Sequence, residues 1–258
     1  MRFLSKKFIY IFTLALIFTA GVFYVVKNTN YTDNNVDIQI VDNNQTETNG
    51  EEGAKNDKDD ASIDISKKVE FDVPFTAQAP FGDWSDIRQQ NGCEEASVLM
   101  AISYMRGQNF TKQEALDEIL KMDAYAEANY GFHLDISAKD TVQLAKDYFN
   151  YTNVEYKTNI TVQDIKMELY RGNLVIVPAD GRILNNPYFS GEGPEYHMLV
   201  IVGYDPFSDE FITNDPGTRN GKGFRYSSTN LYSAIADYPS GYHIPRSDIS
   251  KTMIIIEK

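Results

Sequence analysis

The amino-acid sequence predicts an α+β domain in which N-terminal helices pack on a mainly antiparallel sheet. Helical periodicity and capping signals are concentrated in residues 93–170, whereas short apolar runs typical of strands follow in residues 174–256. Helices that precede strands, without regular alternation, are typical of α+β domains. Residues 196–204 and 210–213 flank a turn that contains Asp205 and Pro206, which predicts an antiparallel pair.

The first part of this domain contains the helices. Residues 70–75 alternate in polarity and include Pro74, which predicts a short edge strand. A loop rich in Gly, Pro and Asp follows. Thr111 and Glu114 then have the spacing of a capping box, and Gly172 suits a helix C-terminus. We expect helices over residues 93–105, 111–122, 137–148 and 161–170.

The second part contains the strands. Leu174 begins an uninterrupted apolar run, which is typical of a buried strand. We expect strands over residues 174–177, 196–204, 210–213, 224–226 and 253–256, with a short helix over 230–237.

The N-terminal segment has the character of a membrane anchor. Residues 8–26 contain no charge and no proline, and a helix of this length rises roughly 28 Å, close to the hydrocarbon thickness of a bilayer. Basic residues precede the run, so the positive-inside tendency places the remainder outside the cytoplasm. We expect residues 1–27 to be a transmembrane anchor or uncleaved signal of a single-pass cell membrane protein. The alternative is secretion after cleavage near Ala20.

Composition separates the rest of the chain into a linker and a domain. Residues 28–66 are rich in Asn, Asp, Thr and Glu, which predicts a disordered acidic linker, and residues 67–258 form the expected domain. The chain has a net charge of −13 and no basic stripe, which argues against a nucleic-acid partner. The oligomeric state is not predicted.

Cys93 is the single cysteine, so no internal disulfide is available. A lone cysteine is commonly a small apolar core residue. Cys93, however, follows Gly92 at the predicted start of a helix, where N–H groups and the helix dipole favour a thiolate. The sequence leaves both interpretations open.

His197 and Asp215 are the candidate partners of this thiol. His197 begins an otherwise apolar strand, where it is either a core residue or a base directed into a cleft. Asp215 follows the next strand, and antiparallel pairing would bring it beside His197, although Asp215 also suits a simple turn. A thiol, an imidazole and a carboxylate are the minimum set for nucleophilic acyl transfer.

Three segments in order resemble the C39-like peptidase family of the papain-like fold, in its stand-alone bacterial branch. They are VPFTAQAPFGDWSDIRQQNGCEEASVLMAISYM, YHMLVIVGYD and ITNDPGT, and the similarity covers about residues 69–258. The resemblance implies Cys93 as nucleophile, His197 as base and Asp215 as the orienting residue. It also implies a glutamine that donates to the oxyanion. Gln78 matches this position best, with Gln89 and Gln90 as alternatives.

The sequence departs from the family pattern directly after the cysteine. Glu94 and Glu95 stand where better-known members carry Gly and a small residue. A carboxylate beside the thiol is expected to raise the pKa of the thiol unless His197 or Arg88 compensates. Exporter-linked members cut double-glycine leaders beside an ABC transporter, and no transporter is encoded here, so that substrate does not carry over.

The expected activity is hydrolysis of peptide or amide bonds through a thioester, with a peptide or protein at the cell envelope as substrate. The alternatives are a transglutaminase-like acyl transferase with the same residues, and a non-catalytic tethered binding module. Residues 181–193 are either a substrate-facing loop or an ordinary connection. His133 and His243 lie in predicted loops, and we expect no metal and no cofactor.

Overall fold

The structure is a computed structural model that describes residues 64–246 and 249–258. This part of the chain contains seven strands and seven helices. The helices are α1 (Ile87–Gln90), α2 (Cys93–Met105), α3 (Lys112–Tyr130), α4 (Ala138–Phe149), α5 (Val162–Tyr170), α6 (Gly181–Leu184) and α7 (Ser228–Ala234). The strands are β1 (Val69–Glu70), β2 (Val154–Thr158), β3 (Leu174–Ala179), β4 (His197–Asp205), β5 (Glu210–Asn214), β6 (Lys222–Ser227) and β7 (Thr252–Ile256).

The helix starts follow from side-chain caps. Thr111 accepts from the backbone N–H of Glu114, and the Glu114 carboxylate accepts from the backbone N–H of Thr111, so the predicted capping box is present. Helix α3 continues to Tyr130, well beyond the predicted end near residue 122, because no Gly or Pro occurs before Gly131. Gly131 adopts a left-handed conformation with φ 76° and ends the helix.

The sheet has the strand order β2-β7-β3-β4-β5-β6, and β1 pairs with β4 outside this path. Every pairing among the described strands is antiparallel. The predicted edge strand over 70–75 is shorter than expected, because only Val69 and Glu70 pair with β4. Gly203 permits this approach, since a Cβ at that position would lie 2.4 Å from the Val69 carbonyl oxygen.

Both faces of the central strands are buried. On β3, Leu174 and Ile176 belong to the apolar cluster that includes residues of α2 and α4, whereas Val175 and Val177 belong to the cluster that includes residues of α5 and α7. This alternation is the two-residue period of a strand between two layers of helices. The predicted α+β fold, with N-terminal helices on a mainly antiparallel sheet, is confirmed.

The predicted membrane localisation requires a correction. Within residues 64–246 and 249–258, no helix is long and apolar enough to cross a membrane. The longest described helix, α3, carries acidic and basic side chains along its length. The prediction of a single-pass membrane protein is contradicted by this finding. The apolar run over 8–26 and the linker as far as residue 63 lie outside the described residues, so the domain boundaries stay predictions.

Candidate active site

Cys93 is the first residue of α2, as the sequence predicts, and it is only 4% exposed. The helix begins after Gly92, where a Cβ would lie 2.8 Å from the Arg88 carbonyl oxygen and 3.1 Å from Ile119 Cγ2. Glycine therefore lets the short turn between α1 and α2 pack closely against α3. This packing places Cys93 on the wall of a cleft with a volume of about 870 Å³.

His197 and Asp215 meet at the edge of the sheet beside the same cleft. His197 begins β4, and Asp215 directly follows β5, which pairs with β4 in antiparallel register. His197 Nε2 lies 2.8 Å from Asp215 Oδ1, and both side chains are buried. Because Asp215 occupies Nε2, the ring has Nδ1 left for a second partner. His197 and Cys93 both line the cleft.

Further donors hold the Asp215 carboxylate in place. Tyr226 Oη donates to Oδ2 at 2.6 Å, Asn186 Nδ2 donates to Oδ2 at 3.2 Å, and the Gly217 N–H donates to Oδ1 at 3.0 Å. Burial acts to raise the pKa of Asp215, but the charge of His197 and these hydrogen bonds outweigh burial, so the pKa is lowered. Asp215 is thus suited to remain ionised beside the imidazole.

Tyr226 and Asn186 were not predicted as site residues. Tyr226 lies on β6, and Asn186 lies in the segment 181–193, which the sequence predicts to be either a substrate-facing loop or an ordinary connection. No local spacing links either residue to Asp215, because the contacts depend on how β5, β6 and the loop after α6 come together. The tertiary arrangement alone reveals them.

The thiol of Cys93 is bound to its neighbour. Cys93 Sγ donates to Glu94 Oε2 at 3.1 Å, and Glu94 is fully buried. Burial raises the pKa of the Cys93 thiol well above its usual range, and the Glu94 carboxylate raises it further. Burial and the neighbouring acid therefore oppose the thiolate that the N-terminus of α2 would favour.

Glu94 connects helix α2, which carries Cys93, to strand β4, which carries His197. Its Oε1 accepts from the Ile136 N–H at 3.0 Å and from Tyr238 Oη at 2.7 Å. The same phenol lies 3.3 Å from the backbone oxygen of His197. Burial raises the pKa of Glu94 to about 7, against the lowering effect of the Tyr238 hydrogen bond. Glu94 is thus a buried acid that connects the nucleophile helix to the strand of the imidazole.

Glu95 has a different environment. Both carboxyl oxygens are buried and have no hydrogen-bond partner in the described structure. Burial, followed by the charge of Glu94, raises the pKa of Glu95 well above its usual range, so we expect an un-ionised carboxyl group. Arg88, one of the two residues considered as a compensating charge for the acids beside the thiol, instead pairs with Asp86 at 2.6 Å.

Replacing Glu94 with Gln is expected to accelerate alkylation of Cys93 by iodoacetamide about tenfold at pH 8, since removing a neighbouring negative charge lowers the pKa of the thiol. Labelling is measured by mass spectrometry of intact protein. Glu95→Gln is the matched control and should leave the rate nearly unchanged, because this carboxyl group is already uncharged. Equal rates in wild type and Glu94→Gln would contradict the role assigned to Glu94.

Gln78 lines the cleft, but its amide is engaged elsewhere. Its Nε2 donates to the carbonyl oxygens of Gln89 at 3.0 Å and Gln90 at 2.7 Å, and its Oε1 is buried without a partner. Both N–H groups are therefore used within the protein. Of the two alternatives, Gln90 also lines the cleft, and its Nε2 donates to the Trp84 carbonyl oxygen. Of the two glutamines that line the cleft, Gln78 therefore has both side-chain N–H groups engaged, whereas Gln90 has one engaged.

The segment 181–193 contributes to the cleft through Tyr188 and Phe189. The edge of the Phe189 ring packs on His197, with ring centroids 5.3 Å apart and an interplanar angle of 81°. His133 and His243 do not line the cleft. Among the described residues, no group of His, Cys, Asp and Glu is arranged to hold a metal ion.

A buried helix-terminal cysteine, with an imidazole and a carboxylate at the edge of the same cleft, is the arrangement that cysteine hydrolases use. Comparison with known families gives the specific assignment. Residues 70–239 match the Peptidase_C39 like family, and the chain belongs to this family of cysteine peptidases.

A similar crystal structure is that of a protein from Bacillus anthracis assigned provisionally as a C39-like peptidase. Its TM-score is 0.44 at 17% sequence identity, and the alignment covers 74% of this chain and 98% of that chain. No curated protein matches the chain significantly.

Proposed function

We propose that this chain hydrolyses peptide or amide bonds, with Cys93 as nucleophile, His197 as general base and Asp215 as the residue that orients the imidazole. The supporting observation is that Cys93 and His197 line one cleft while the buried Asp215 holds His197 Nε2 at 2.8 Å. This contact leaves Nδ1 as the nitrogen available to the thiol. The chain belongs to a family of cysteine peptidases, and this membership together with the geometry of its own site favours hydrolysis over a binding role.

The reaction begins with transfer of the thiol proton to His197. Since Cys93 Sγ donates to Glu94 in the resting arrangement, the thiol must turn from Glu94 towards the imidazole when substrate enters. Sγ then forms a bond to the carbonyl carbon of the substrate. The tetrahedral intermediate collapses as His197 protonates the leaving amine, and a thioester on Cys93 remains.

Water completes the cycle. His197 removes a proton from a water molecule, which attacks the thioester carbon and releases a carboxylic acid. The Cys93 sulfur recovers a proton from His197, so atoms and charge balance over the two steps. Asp215 remains ionised throughout and stabilises the imidazolium that forms in each step.

Stabilisation of the oxyanion is assigned to the first turn of α2. The backbone N–H groups at a helix N-terminus have no intrahelical acceptor, and that of Cys93 is positioned by the helix start. We include Gln78 as the second donor. Its participation requires release of one of the two hydrogen bonds to the carbonyl oxygens of α1.

The test is profiling of the protein against a library of synthetic peptides, with new N-termini identified by mass spectrometry. We expect cleavage by wild type and none by Cys93→Ala, because the chain has no other thiol. Cleavage by both proteins at equal rates would overturn the proposal. Addition of a primary amine separates hydrolysis from acyl transfer, since a transferase would give the amide product in place of the acid.

A further inference from the structure

The cleft that contains Cys93 carries positive charge in an acidic protein. Among the described residues that line it, Lys112 and Arg219 are the only Lys or Arg side chains, and no Asp or Glu is present. Lys112 begins α3 on the helical side, and Arg219 lies in the connection between β5 and β6 on the sheet side. The chain as a whole has a net charge of −13, so this distribution opposes the general composition.

Both cations are available to a ligand. Lys112 and Arg219 are exposed, and neither forms an ion pair with a described residue. By contrast, Arg88, Arg182 and Arg225 each pair with a carboxylate at 3.1 Å or less. The two cleft cations therefore have no internal carboxylate that a bound carboxylate would need to displace.

Exposed aromatic rings lie in the same cleft. Phe81, Trp84 and Tyr188 line it and are 59%, 42% and 53% exposed. Aromatic faces that remain exposed in a concave site are typical of binding surfaces for apolar or aromatic groups. The cleft thus combines ring surfaces with two cations, and none of its described lining residues is an Asp or a Glu.

We propose that the substrates of this cleft are acidic peptides, in which carboxylate groups flank an apolar or aromatic residue near the scissile bond. This inference rests on the proposed function, since it assigns the substrate class of the same site. Lys112 and Arg219 would bind the flanking carboxylates, and Phe81, Trp84 and Tyr188 would contact the residue between them. The carboxylate comes either from Asp and Glu side chains or from a free peptide C-terminus.

Binding is measured without catalysis in the Cys93→Ala variant. Trp84 is the only tryptophan of the chain and lies in the cleft, so its fluorescence reports occupancy directly. One peptide with a central Phe is prepared with Glu, Gln or Lys on both flanks, blocked at both ends. A further Gln peptide carries a free C-terminal carboxylate and distinguishes the two sources of the carboxylate.

We expect the Glu peptide to bind about three- to tenfold more tightly than the Gln peptide at low ionic strength, with the difference shrinking as salt is added. Preference for the free C-terminus alone would identify the terminal carboxylate as the ligand. Equal Kd values for all peptides, or no fluorescence change with any of them, would overturn the proposal.

Charge reversal tests the two residues. Lys112→Glu combined with Arg219→Glu, in the Cys93→Ala background, should abolish the preference for Glu or convert it into a preference for Lys. Lys139→Glu is the matched control, because Lys139 is also exposed, forms no ion pair with a described residue and lies outside the cleft. Persistence of the preference in the double charge variant, or its equal loss in the control, would contradict the assignment.

The test of the substrate class and the test of hydrolysis can fail independently of each other. If the Glu peptide binds preferentially but wild type cleaves none of the peptides, the hydrolytic proposal fails and the substrate class stands as a binding preference. If wild type cleaves the Glu and Gln peptides with equal kcat/KM and binds them equally, hydrolysis stands and the substrate class fails.

Discussion

Replacing His197 with Ala is expected to lower kcat/KM for peptide hydrolysis on the order of 10³-fold or more, since the proposed mechanism loses its base for thiol deprotonation and its acid for protonation of the leaving amine. His197 is the one histidine of three that lines the cleft. The rate is measured with a peptide selected from the library, and thermal unfolding establishes that the variant is folded.

His133→Ala is the matched control for this experiment. His133 Nδ1 binds Asp123 at 2.7 Å and lies outside the cleft, so its loss should change kcat/KM little. Added imidazole should partly restore activity to His197→Ala but not to Cys93→Ala. A loss of less than tenfold in His197→Ala, or an equal loss in the His133 variant, would remove His197 from the mechanism.

Asp215→Ala examines the third member of the site. Because Asp215 acts through the imidazole, we expect the double variant with His197→Ala to be no slower than His197→Ala alone. Additive losses in the double variant would instead show that Asp215 has a role independent of His197.

The free energy of unfolding is expected to fall by about 2.5 kcal/mol between pH 5 and pH 8 through Glu94 alone. The folded protein holds the Glu94 proton up to about pH 7, whereas an unfolded chain releases it near the ordinary value of 4.5. The folded state therefore binds more protons in this window, so the Glu94 contribution to stability is fully present below pH 4.5 and is lost as the pH rises through 7. Each unit of pKa difference corresponds to about 1.4 kcal/mol.

Urea denaturation of wild type and Glu94→Gln at several pH values measures this contribution. The variant should be less sensitive to pH by about 2.5 kcal/mol across the window. Glu95 changes stability in the same direction in both proteins, because burial raises its pKa, and the variant loses only the additional raising effect of the Glu94 charge on Glu95. Parallel pH profiles for the two proteins would contradict the assignment of a raised pKa to Glu94.

The sequence predicted those parts of the site that depend on local order along the chain. Cys93 follows a glycine at a helix start, and the turn between β4 and β5 returns the chain so that Asp215 lies beside His197. Both features follow from short-range patterns, namely capping and antiparallel pairing. Their roles in catalysis stay proposals.

The remaining parts depend on contacts between distant segments. From its position in the sequence, Glu94 was expected to suit the dipole at the start of α2 and to raise the pKa of the thiol, whereas the structure gives it a thiol, an amide and a phenol as partners. The phenol comes from Tyr238, which belongs to no predicted motif. Strand β2 was also missed, because four of its five residues are exposed and it lacks an apolar run.

The contact between Tyr238 and Glu94 spans 144 positions of the chain, which affects the order in which the site can be assembled. Strand β7 lies between β2 and β3 although it comes last in sequence. A nascent chain that has emerged only through Asp215 contains the thiol, the imidazole and the carboxylate, but neither the phenol of Tyr238 nor β7. Contacts of such long range form slowly, because closing long loops costs entropy before the contacts stabilise the fold. We therefore expect the contact between Glu94 and Tyr238 to be among the last parts of the site to form during synthesis.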